Sequence, residues 1–122
     1  MDKTLLAIPL LATLAWAPLW AHHGWSGYDE TKTLTLTGIV RASSYENPHT
    51  YVDLQVDEGK PSAKLWHAVL APPSRMQSKG IRKEDLKVGA TVTVRGFQDK
   101  AKPNEAKIEE IVVNGKKIYI RR

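Results

Sequence analysis

The sequence predicts an all-β domain with one short helix: a small β-barrel of OB-fold-like layout, standing behind an N-terminal export signal. Three observations predict it. Stretches of strict polar–apolar alternation recur, which is the period of a half-buried strand. Turn residues separate them at Asn47-Pro48, Asp57-Glu58-Gly59 and Asn114-Gly115. One helical segment falls after the third strand, and three strands, a short helix, then two strands is the order of an OB-fold barrel. Barrel closure also removes exposed sheet edges.

The elements follow in chain order. Residues 1–21 begin with a short polar start carrying Lys3. An apolar run interrupted by Pro9 and Pro18 follows, ending at Ala21. A basic start, an apolar run and a small residue at the end are the marks of a secretory signal. The run is short for a membrane span, so no stable span is expected after cleavage. Cleavage after Ala17 would place Pro18 beyond the cut bond, so a cut after Ala21 is favoured. Residues 22–32 then form an N-terminal arm with a histidine pair, and residues 33–122 the barrel. Thr33–Thr37 alternates strictly, and Gly38 shifts the phase towards Ile39 and Val40, as a bulge would. His49–Val56 is a second strand, with Val52, Leu54 and Val56 on one face and His49, Tyr51, Asp53 and Gln55 on the other. A third strand spans 63–70. Ser74 is the expected cap of the short helix and Gly80 its stop. A turn spans Arg82–Leu86, and Thr91–Arg95 and Asn104–Val113 are the fourth and fifth strands. Asn114-Gly115 is the strongest hairpin signal in the chain and folds Lys117–Ile120 back as a last short strand.

Composition bounds the chemistry. The chain has 122 residues, one domain's worth, with 18 basic and 13 acidic side chains and a net charge of +5. The basic residues are scattered, as on a solvated surface, although the surplus also suits an anionic partner. There is no cysteine, which excludes thiolate metal sites, disulfides and thiol catalysis. No nucleophile elbow or phosphate-binding glycine loop occurs, so no catalytic residue is assigned and no enzymatic activity is claimed.

Several pieces together resemble a known family. They are His22-His23-Gly24-Trp25-Ser26, Asn47-Pro48-His49 leading a strand, and Trp66 in the next strand. Asp85-Leu86-Lys87-Val88-Gly89 before Val92-Thr93-Val94-Arg95-Gly96 completes them. Their order resembles a family of small secreted bacterial proteins of unknown function. The resemblance implies an OB-fold-like layout and a periplasmic location, and no established activity. His67 departs from it, standing where a small residue is expected.

All four histidines lie beyond the expected cut: His22, His23, His49 and His67. A cut after Ala21 gives His22 a free α-amine. That amine and the ring Nδ1 close one chelate ring on a metal, and a second imidazole completes a histidine brace, a nitrogen set suited to Cu(II). A cut one residue earlier puts His23 third, where amine, two amides and an imidazole also bind Cu(II) in a plane. His49 is the best-placed partner, with Asp53 as the expected support for its ring; His23 and His67 are further candidates. With Met76 the one methionine past the cut, Cu(I) lacks soft donors, and zinc is the second metal. Binding should weaken as protons compete for the ring nitrogens. The expected role is copper storage, delivery or protection.

The alternative is a periplasmic OB-fold module that binds an acidic or saccharide polymer, or a protein partner, without metal. Tyr45, Tyr51, Trp66 and Phe97 would supply stacking surfaces. Nucleic acid is not expected, because export removes the chain from it.

Overall fold

The computed structural model describes residues 24–122. Six strands form one sheet: β1 (Tyr28–Ser44), β2 (Tyr51–Val56), β3 (Lys64–Val69), β4 (Thr91–Asp99), β5 (Glu105–Val113) and β6 (Lys116–Tyr119). One short helix, α1 (Pro73–Ser78), links β3 to a 3-10 turn at Lys83–Leu86, and a second 3-10 turn, Trp25–Gly27, leads into β1. The all-β class with one short helix is thus the observed one.

β1 is long because it serves two partners. Its later half pairs antiparallel with β2, Gly38 to Val56 through Ser44 to Tyr51. Its earlier half pairs antiparallel with β4, where Leu36 faces Val94. β4 continues to β5, and β3 closes on β5 in parallel through His67–Val69 and Glu105–Lys107. The sheet therefore curls into a barrel-like ring in the order expected from the sequence. β6 folds back on β5 through Asn114 and Gly115, both at positive φ (51° and 73°), as a two-residue hairpin requires.

The alternation read from the sequence fills the ring. Val40, Val52, Leu54, Ala68, Val92, Val94 and Ile111 are buried in one cluster, joined by Met76 of α1 and by Ile81 and Leu86. Three local expectations change. Gly38 does not shift the phase: Leu34, Leu36, Gly38 and Val40 all face inward, and the register against β2 slips later, between Val40 and Ala42. A glycine has no side chain to declare its face. Glycine is needed here because a Cβ would meet the Gln55 carbonyl oxygen at 2.5 Å. Ser74 does not cap α1. The cap is Pro72, with Pro73 at the first helical position, where its fixed φ suits a helix and its missing N–H costs nothing. Finally, β1 starts at Tyr28, so the last residues of the expected arm lie in the sheet.

One core group is mismatched with its surroundings. The Thr50 hydroxyl is buried and has no hydrogen-bond partner among the described residues. Thr50→Val removes that desolvated hydroxyl while keeping the side chain's shape. It should stabilise the fold by about 1 kcal/mol, read as a higher urea midpoint at unchanged slope.

Candidate functional site

His49 sits just ahead of β2, half-buried, after the cis Asn47-Pro48 peptide. Its position is set by the neighbouring backbone: the Thr50 N–H donates to the Ala71 carbonyl at 3.0 Å, and the Leu70 N–H to the Thr50 carbonyl at 2.8 Å. Two adjacent clefts open beside it. The first, of about 140 Å³, is lined by Gly24, Trp25, His49, Pro72, Arg75 and Lys107 over an apolar floor. The second, of about 250 Å³, is lined by Gly24, Tyr28, His49, Asp99, Lys102, Glu105 and Lys107. Gly24, His49 and Lys107 are common to both. His22 and His23, the residues just before Gly24, lie outside the described residues.

The segment that brings Gly24 here is held by an aromatic anchor. Trp25 meets Phe97 edge-on, with ring centroids 6.0 Å apart and planes at 78°. The Arg121 guanidinium lies 4.1 Å from the Trp25 ring centroid and the Lys107 ammonium 5.6 Å from it, both within cation–π range. Arg121 is in turn held by Glu30 and by Glu109. The Lys100 backbone N–H and ammonium donate to the Gly27 and Ser26 carbonyls, each at 3.0 Å. Trp25 therefore packs on the ring, as its burden of apolar surface demands. It covers Phe97, which lies outside the main core cluster.

The two clefts differ in charge. The second holds carboxylates. Burial, then the charges of Glu105 and Asp99, push the Tyr28 hydroxyl up to about 12. Burial works to raise Asp99, but N–H groups of Lys102 and Ala101, at 2.7 and 2.8 Å, outweigh it and hold the carboxyl below its ordinary range. No Asp or Glu lines the first cleft. There the Lys107 ammonium is pushed down, first by burial and then by the charge of Arg75.

His67 stands apart. Antiparallel register places it directly opposite Asp53, and its Nδ1–H donates to the Asp53 carboxylate at 2.6 Å. The Tyr51 ring lies 4.7 Å away, tilted by 46°, and His67 Nε2 is 4.0 Å from Glu105 Oε1. Asp53 therefore supports His67, across the strand pair, and not His49, which lies ahead of β2. His67 lines neither cleft and reaches the second only through Glu105. Among the described residues no group of three or more His, Cys, Asp or Glu side chains is placed to hold a metal.

The aromatic side chains of the polymer reading are largely absorbed by packing. The Tyr45 hydroxyl donates to the Ile81 carbonyl at 2.6 Å, Trp66 packs on the core, and Phe97 lies beneath Trp25. Sequence reasoning missed Lys107 and Arg75. Lys107 alternates with Ala106 and Ile108, a pattern that reads as solvent-facing; it does face outward, but Trp25 covers it.

A family model described as a family of unknown function (DUF6152) matches residues 10–107. Among curated proteins there is no match. The match spans Trp25, Phe97, β1 to β4 and all of the second cleft's lining, and the chain belongs to the DUF6152 family, a family of unknown function.

Proposed function

We propose that the protein is an exported, periplasmic Cu(II)-binding protein that stores, delivers or guards copper. After cleavage following Ala21, His22 supplies its α-amine and ring, and His49 supplies the opposing imidazole. His23 comes ahead of His67 for any further place. The observation that carries this reading is that Gly24, two residues after His22, lines the same two clefts as His49. The donors are all nitrogens, the set that Cu(II) takes in tetragonal geometry. Asp99 and Glu105 add carboxylates to the second cleft, beside Lys102 and Lys107. Because the described residues hold no metal cluster of their own, this site requires donors from the histidine pair. Zinc is the competing metal.

Native mass spectrometry of protein exported through its own signal, with one equivalent of Cu(II), tests this. A chain beginning at His22 should retain one copper. His49→Ala or a blocked amine should lose it, and His67→Ala should keep it. A chain that begins at His22 and retains no copper ends the proposal.

A further inference from the structure

The first cleft holds two cations that no acid neutralises. Lys107 is 7% exposed, yet no carboxylate lies within ion-pair distance of its ammonium or of the Arg75 guanidinium among the described residues. Among the described residues the Arg75 guanidinium makes one hydrogen bond, donating from Nη1 to the Arg121 carbonyl at 2.8 Å. A buried cation is ordinarily paired, because removing it from water is costly. Arg121, the third cation nearby, has its carboxylates; Arg75 and Lys107 do not.

We propose that this cleft binds a small tetrahedral dianion of the phosphate type between Lys107 and Arg75. Two uncompensated positive charges match a dianion better than a monoanion. The cleft, at about 140 Å³, is well below the roughly 300–1,000 Å³ of a drug-sized ligand pocket, which restricts the occupant to an ion or a small phosphomonoester. Leu70, Ile108 and Ile120 form a buried floor, and charge-assisted bonds above such a surface are stronger than in open water. Trp25 walls the side. Neither Lys107 nor Arg75 is a proposed metal ligand, but His49 lines the same cleft, so anion binding is read on the metal-free protein.

The test uses the metal-free protein and isothermal titration calorimetry at constant ionic strength, with inorganic phosphate, glycerol 3-phosphate and acetate as probes. Saturable binding of phosphate or of the phosphomonoester, with acetate about tenfold weaker or worse, supports the site. Phosphate bound in preference points to a free ion; the ester bound in preference points to a phosphorylated molecule. Lys107→Met and Arg75→Gln should each weaken binding by about tenfold or more. Lys107→Met removes a buried charge and is expected to fold, so a negative result from it is interpretable; Arg75→Gln provides the independent check. Wild-type protein without saturable phosphate binding overturns the proposal, as does equal affinity for acetate or unchanged binding in both variants.

Discussion

Gly96→Ala is expected to cost about 4 kcal/mol or to prevent folding outright. A Cβ at this position would lie 1.9 Å from the Lys107 carbonyl oxygen and 2.8 Å from Ile108 Cα. Both obstacles are backbone of β5, so no side chain can swing aside. The clash falls where the register of β4 and β5 slips, between Arg95 and Gly96, and where Lys107 also pairs with β3. Three strands are thus held close at one place. Relief requires parting β4 from β5, and a domain of this size has only about 5–15 kcal/mol of stability in all. Circular dichroism melts and urea titrations measure the effect. A variant within 1 kcal/mol of wild type would mean that the strands cross less tightly than described.

The second large effect is expected at Trp25. Trp25→Ala removes the edge contact with Phe97 and the stacking of Arg121. A fully buried Trp→Ala change costs about 3–5 kcal/mol. Trp25 is only half-buried, so about 2 kcal/mol is expected, or roughly 10 °C in melting temperature. Trp25→Phe should recover much of it, because a smaller ring still covers Phe97. The alanine variant also loses the wall of the first cleft, so phosphate affinity should fall with stability. If Trp25→Ala melted with wild type, the segment leading to His22 would not be anchored as described.

Much of the ring was legible because its strands carry one buried face. Val52 with Leu54, and Val92 with Val94, announce both strand and inward side by alternation alone. Asn114-Gly115 announced its hairpin because few other residues accept positive φ twice in succession. The failures have equally local causes. Asp29-Glu30-Thr31-Lys32 has no apolar member, so the start of β1 left no periodic trace. Ser74 looked like a cap because the helix-starting role of Pro73 competes with it and is harder to see. The site was less legible than the fold. Asp53 was matched with His49 along one strand, but its true partner, His67, comes from the neighbouring strand, and register between strands is not written in either one. Lys107 reads as a surface lysine until Trp25, far away in sequence, is laid over it.

The parallel seam between β3 and β5 has a kinetic consequence. β1, β2 and β3 form a meander of neighbours in sequence and can assemble locally. The ring cannot close until β5 joins β4 to β3, and that step carries the loop-closure entropy of the whole intervening chain. Such non-local topologies fold in milliseconds to seconds. The walls of both clefts come from the two ends of this order: Gly24 from the start of the described chain, Lys107 from β5. A half-folded meander would have His49 but no cleft around it. Ligand capture at either cleft therefore reports on a completed ring, and a bound ligand would slow unfolding by holding together the parts that meet last.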